Sequence, residues 1–573
     1  MNNFWLLVAI TSCILSITQS SRLIAEAYPT QSITLTKLFP ADNEPQVTFD
    51  DSVIASTLLD VSQGRPLIIV PVSDGHIVAL ESQSGEKAWD IQVPTMTAEQ
   101  QVQIISTPVI VKHKLVILFL YLEKGLRTSH RLAVLDLKKI QWDTTFPLLE
   151  LTAEVEASDG VSTVKFNPAT AFSRSALKYT EKSGSLLGVI YAAFGNSGDS
   201  QPYHGWLFEI DMNAWQNEGA EQAISHVLLT TPESTCPVSM EYGNQEMICG
   251  GGIWTPTGPQ IYPTADSFEL LVATGNGQVD LDRHDYANSI MRLQPGLQFD
   301  SGCDEQLCQN FNPVNPDQAC MESCKNLFIP RLAEGNPPLK PANNECDNKT
   351  FWECLAWMDF DLGGSAPIQF NLKSGKAVIV QAGKDGAVYL IDADHLGTQY
   401  DRLPIVDLCG TPTDACKASW MGMIVTHPVL TYINQEPVII IPTFVPDQSH
   451  PAGLVALKIF EESGKPKFKP FWAFPDRSTI EAVASFRSHP SLPVMSDYGK
   501  RKDGILWIVD IATHGVLYGI RVMDGSLAVK QTLLGTGRPL AAPLIYNNIL
   551  YLASSISTTG KAFIEAYQIR AQP

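Results

Sequence analysis

Two carboxylates, Asp359 and Asp361, stand two residues apart just ahead of a small-residue turn, Leu362-Gly363-Gly364-Ser365-Ala366-Pro367. Carboxyl groups can accept a proton or ligate a hard cation. Lys384 follows in Ala382-Gly383-Lys384-Asp385-Gly386, and an ammonium can polarise a carbonyl. Strand-like apolar runs at 377–381 and 387–391 flank that lysine. Gly386 between them supplies the positive φ of a hairpin turn. Other chemical signatures are absent. The chain has no phosphate-binding Walker loop, no H-E-x-x-H, no G-x-S-x-G elbow and no dinucleotide fingerprint. His284-Asp285 could suggest acid/base chemistry, but a long loop between strands accounts for it more simply.

The elements that must position these groups form a repeat. Residues 67–72, Ser73-Asp74-Gly75 and residues 76–80, then Ser84-Gly85-Glu86-Lys87 and Trp89, follow the same order as the stretch around Lys384: strand, Asp-Gly turn, strand, short turn. Weaker copies begin near 107, 186, 268, 427, 489 and 538, giving about eight units. A four-stranded sheet cannot bury both faces alone, whereas sheets stacked around an axis can. Helical periodicity is scarce, and Gly, Asn and Asp punctuate the strands. The chain therefore reads as all-β, a single eight-bladed β-propeller of four-stranded blades over residues 21–573. Residues 21–60 read as an irregular lead-in with a possible strand. A pair of β-sandwiches is the alternative, and the repeat count argues against it.

Residues 298–358 break the rhythm and are rich in Cys, Asn and Pro. They read as a disulfide-stapled insertion just ahead of Asp359, and a loop of that length commonly has a role, such as a lid. Outside Cys13 the chain has ten cysteines. An even number fits disulfides in an oxidising compartment. Cys320-x3-Cys324 lacks a partner pair at zinc spacing, and no C-x-x-C-H haem motif occurs. Asn348-Lys349-Thr350 has the pattern of a glycosylation sequon.

Residues 1–20 carry an apolar run too short to span a bilayer, followed by small residues, as in a signal peptide cleaved near Ser20. Ile10-Thr11-Ser12-Cys13 also fits a lipoprotein box, though the apolar run continues past Cys13. The expected location is periplasmic or secreted. No other stretch is long and apolar enough to cross a membrane. Net charge is −20 with only 17% charged residues. Such acidity repels phosphates and excludes a nucleic-acid partner.

The repeat resembles the tryptophan-bearing propeller repeat of pyrroloquinoline-quinone (PQQ) dehydrogenases, whose eight-bladed relatives include the assembly lipoprotein BamB. The resemblance covers nearly all of the mature chain. Gly250-Gly251-Gly252-Ile253-Trp254 followed by Thr274-Gly275-Asn276-Gly277 looks like the family's GGG-x-W…GTGN segment. It implies that Trp254 is the floor on which the flat quinone stacks, and that Asn276 is an oxygen ligand of Ca²⁺. Asp359 or Asp361 falls on the family's catalytic Asp, which takes the alcohol proton as hydride moves to the quinone. Lanthanide-using relatives carry two Asp at this spacing, the second a metal ligand. Lys384 matches the Lys or Arg that contacts the quinone oxygens.

Departures from the family pattern lie in Gly195-Asn196-Ser197-Gly198-Asp199-Ser200-Gln201-Pro202-Tyr203-His204-Gly205. The family's metal-binding Glu falls on Ser200. Asp199 could substitute, although a shift of one residue along a strand turns a side chain to the opposite face. The family's Arg falls on His204, and no two cysteines are adjacent. The resemblance implies an exported oxidoreductase that passes hydride from an alcohol or polyol to PQQ with Ca²⁺ or a lanthanide ion, its electrons leaving to a separate acceptor. The departures imply an alternative, a non-catalytic scaffold propeller of the BamB kind.

Overall fold

Each Asp-Gly hairpin forms as its sequence dictates. Gly75 and Gly386 both take positive φ, +94° and +73°, and a Cβ at Gly75 would lie 2.3 Å from the Val102 side chain. In the computed structural model, residues 32–41, 44–97, 100–182, 184–196, 203–235, 249–336, 339, 346–405, 426–443, 453–474, 491–496, 504–510, 515–537, 541–556 and 559–572 are described.

The hairpins build eight antiparallel blades. The first consists of Leu58–Asp60, Leu67–Pro71, His76–Glu81 and Lys87–Gln92, paired in sequence order. Six more follow within 101–150, 171–229, 260–328, 368–404, 429–474 and 494–532. The eighth is closed from the other end of the chain. Strand Ser32–Phe39 pairs antiparallel with Ala562–Gln572, Thr34 opposite Arg570, beside Ile549–Ser555 and Leu544–Tyr546. The expected irregular lead-in thus contains the outermost strand of the last blade. Its sequence shows a possible strand, but its partner lies over 500 residues away, beyond any local signal.

Blade stacking explains the apolar runs. Leu67 and Ile69 pack with Leu115 and Ile117 of the second blade, while Ile68 and Val70 pack with Tyr551 and Ile564 of the eighth. Both faces of the central strands are therefore buried, which continuous apolar stretches satisfy and alternating ones cannot. The six remaining interfaces carry equivalent clusters, so the ring closes through packed side chains all the way round.

The cysteine-rich segment is partly blade and partly addition. Leu327–Phe328 pairs with Ile290 and Met291 as the outer strand of the fourth blade. Around it lie disulfides Cys303–Cys324, Cys308–Cys320 and Cys346–Cys354. Helix α1 (Met212–Glu218) follows a central strand of the third blade, while α2 (Gln318–Ser323) and α3 (Phe351–Trp357) belong to the added segment. Helix α3 begins with a complete capping box, Thr350 with Glu353. It packs Phe351, Cys354 and Leu355 with Met358 and Phe360 into a small separate core.

Candidate functional site

Helix α3 delivers Asp359. The helix ends at Trp357, and Phe360 N–H donates back to Leu355 O at 2.9 Å, closing a Schellman-type turn. Asp359 occupies the left-handed position of that turn, φ +55°, which glycine usually fills. Its carboxylate also faces the negative end of the helix dipole. Both local preferences oppose an aspartate here, and a strained residue held by its surroundings is a mark of a functional position.

The hairpin of the fifth blade supplies the compensating charge. Lys384 Nζ lies 2.9 Å from both Asp359 oxygens and 2.9 Å from Asp361 Oδ2. All three side chains are buried. Asp361 is 1% exposed, and its Oδ1 has no hydrogen-bond partner. A buried carboxylate oxygen without a donor is rare.

The same ammonium lies 4.5 Å from the centroid of the Trp254 ring, a cation–π contact. Trp254 arrives from a different part of the chain. Segment Gly250–Ile253 is wedged between the third and fourth blades. Ile253 N–H donates to Phe194 O, Gly251 N–H to Asn276 O and Gly275 N–H to Gly252 O, at 2.7–3.0 Å. The glycines are required by that closeness, since a Cβ at Gly250 would lie 2.1 Å from Asn276 O. A Cβ at Gly363 or Gly275 would come within 2.7 or 3.0 Å of the indole nitrogen. Trp254 thus sits in a cradle of backbone.

Asn276 is buried beside this cradle, and its Oδ1 accepts from Gly277 N–H at 3.0 Å. It makes no hydrogen bond to Asp359, Asp361 or Lys384. The structure brings together the indole, the acid pair and the ammonium, and places the amide next to the indole's floor without direct contact. Asp199 and Ser200 lie outside the described residues, as does the candidate leader at 1–20. His204 Nδ1 donates to Thr231 O at 2.7 Å. Burial lowers its pKa, so a neutral imidazole stands where the resemblance expects an arginine.

Two supporting groups escape the sequence reading. Gln381, fully buried, donates from Nε2 to Leu362 O and Ser365 O at 2.9 and 3.0 Å, pinning the turn after Asp361. Asp385, next to Lys384, accepts from Tyr389 Oη at 2.6 Å and Arg402 Nη2 at 2.7 Å. Burial, with the Asp385 carboxylate beside it, pushes the Tyr389 phenol well above its usual range. A polar residue ending an apolar run, Gln381 after Ala377-Val-Ile-Val, was the available signal for the first; Arg402 lies in a mostly polar strand and gave none for the second.

No family model matches the chain, and no curated protein matches it. Solved structures do. Quinohemoprotein alcohol dehydrogenase ADHIIG from Pseudomonas putida HK5 superposes with a TM-score of 0.52 at 12% identity, over 91% of this chain and 75% of that one. Quinohemoprotein alcohol dehydrogenase from Comamonas testosteroni gives 0.47 at 12%, over 90% and 75%. BamB from Moraxella catarrhalis gives 0.44 at 12%, over 93% and 100%. At this level of identity the likeness is one of fold: the chain shares the eight-bladed β-propeller architecture of the PQQ-dependent alcohol dehydrogenases.

Proposed function

We propose that the protein is an exported oxidoreductase of the PQQ-dependent type, acting on an alcohol or polyol. The observation that carries this reading is the meeting of Trp254 with the buried Asp359, Asp361 and Lys384 in one cluster, although Trp254 comes from a segment over 100 residues before the other three. The residues fit the absent groups. Carboxylate and amide oxygens suit Ca²⁺ or a lanthanide ion, and Asp361 Oδ1 and Asn276 would hold it, with Asp199 a further candidate. Trp254 would stack the quinone, and Lys384 would contact its oxygens. PQQ, when bound, supplies the hydride acceptor. Asp359 is the group assigned to receive the hydroxyl proton of the alcohol. Lys384 fixes the Asp359 carboxylate through two hydrogen bonds, and Gln381 holds the following turn. Disulfides agree with a periplasmic or secreted location.

One observation favours a second reading, that of a scaffold propeller without a cofactor. Lys384 already satisfies three carboxylate oxygens and rests against the indole, which a self-contained structural cluster would also do. Reconstitution separates the two. The protein is mixed with PQQ and either Ca²⁺ or La³⁺, desalted, and read for retained quinone absorbance and for alcohol-dependent dye reduction. Retained stoichiometric quinone with turnover is expected, and Asp359→Asn should keep the quinone while lowering turnover at least 100-fold (about 3 kcal/mol). Loss of all quinone absorbance with both ions leaves the scaffold reading standing.

A further inference from the structure

A cavity of about 430 Å³ opens beside the third blade, separate from the acid–lysine cluster. Its walls come from residues between Thr163 and Ala171, from Gly195 and Asn196, from His204 and Trp206, and from Ser234. One wall is the hairpin Glu154–Glu156 with Thr163–Lys165, a two-stranded addition to the four-stranded blade plan. That hairpin is tied down deliberately. Ser158 N–H donates to Pro232 O, and Ser234 Oγ donates to Asp159 Oδ2. An extra hairpin anchored to form a walled cavity of ligand size is a built feature rather than a packing gap.

The lining selects the ligand. Phe166 and Trp206 meet edge to face, 5.6 Å apart at 90°, and give the cavity an apolar side. Thr163, Asn167 and Thr170 line the other side with hydroxyl and amide groups. Asn167 Oδ1 accepts from Ala169 N–H, which leaves the Asn167 amide hydrogens for a guest. The charges at the rim are spoken for. Lys165 pairs with Glu154 at 3.2 Å, and Asp159 is held by the N–H groups of Val161 and Ser162. His204, at the cavity wall, is neutral and spends its Nδ1 hydrogen on Thr231 O. A guest must therefore be uncharged, with one apolar face and an edge of hydroxyls, and far larger than a two- or three-carbon alcohol.

The geometry points to a binding site for a neutral polyhydroxylated ring of monosaccharide size, formed by the 154–165 hairpin and the third blade. None of its lining residues belongs to the acid–lysine cluster or is Trp254. Gly195 separates the two sites: it lines the cavity, and a Cβ on it would lie 3.3 Å from Trp254 Cβ.

Calorimetric titration of the full chain with D-glucose, with myo-inositol and with 1-butanol, without quinone or added cation, tests the assignment. Saturable binding of at least one of the two polyols at millimolar concentration is expected, with none for 1-butanol. Asn167→Asp should weaken that binding about tenfold by removing the amide donor. Thr170→Trp should abolish it by filling the cavity. Asn167 is exposed and Thr170 half-buried, and an unchanged melting temperature certifies the fold. The same titration on Asp359→Asn should give wild-type affinity, so failure of the redox reading would leave this result intact. Absence of polyol binding, equal binding of 1-butanol, or full affinity in Thr170→Trp would overturn the proposal.

Discussion

Asp359 and Asp285 are both buried carboxyls, and their surroundings treat them in opposite ways. Asp359 has Lys384 against both oxygens. Asp285 lies directly across a short strand pair from Asp280, and its Oδ1 has no partner. Arg283 sits 3.5 Å from Asp280 and 3.7 Å from Glu233, and makes no ion pair with Asp285. Burial, then Glu233 and Asp280, push the Asp285 carboxyl up to about 9. In the unfolded chain that group ionises near pH 4. Between these values the folded protein holds a proton that the unfolded chain has released, so this group lowers stability as pH rises through the window. Asparagine has no such titration and offers an amide donor to Glu233 and Asp280. Asp285→Asn should therefore match wild type near pH 4 and gain on the order of 2 kcal/mol by pH 8, after discounting for relaxation around the buried group. Urea midpoints at the two pH values check this, and a pH-independent difference would contradict it.

Helix α3 shows how a short element carries information to the site. It has seven residues, too few to persist without its cap and its packing. Thr350 Oγ accepts from Glu353 N–H at 3.2 Å, and Glu353 Oε2 accepts from Thr350 N–H at 2.8 Å. Thr350→Ala should cost about 1–2 kcal/mol and Thr350→Ser much less. Because the helix terminates in the turn that holds Asp359, the Phe360 amide should exchange with solvent faster in the alanine variant. An unaltered rate there would show that the acid is positioned without the helix. How much was legible differs by element. The Lys384 hairpin could be read because Gly386 and its flanking strands are local. The Gly250–Gly252 segment could be read through its likeness to the family's motif, and the structure supplies the reason for the glycines, a backbone approach too close for a Cβ. The left-handed Asp359 could not, since its conformation comes from a helix whose stability depends on packing with Cys346, Met358 and Phe360. The outer strand Leu327–Phe328 was hidden for a similar reason: two residues carry no periodicity.

The whole molecule depends on one non-local seam. The two ends of the Ser32–Phe39 strand face different neighbours, on either side of a register shift between Lys37 and Phe39. Ile33 and Leu35 pack with Trp507, Leu517 and Leu550 of the seventh and eighth blades. Phe39 packs with Tyr551 and with Ile68 and Val70 of the first blade. The strand covers the Ala562–Gln572 strand as the outer edge of its blade, so loosening it exposes a new sheet edge and the flanks of both neighbouring interfaces together. Ile33→Ala should cost about 2–4 kcal/mol, and should shift the main unfolding transition instead of adding an early minor one. The converse experiment tests the seam directly. Thr34 and Arg570 are opposite one another in antiparallel register, a separation that a disulfide spans. Cross-linking them closes a loop of nearly the entire ring, worth on the order of 5 kcal/mol in lost unfolded-chain entropy. If ring opening begins at this seam, oxidised Thr34→Cys/Arg570→Cys unfolds more slowly than its reduced form by a correspondingly large factor. Equal unfolding rates in the two redox states would place the first break at another blade interface.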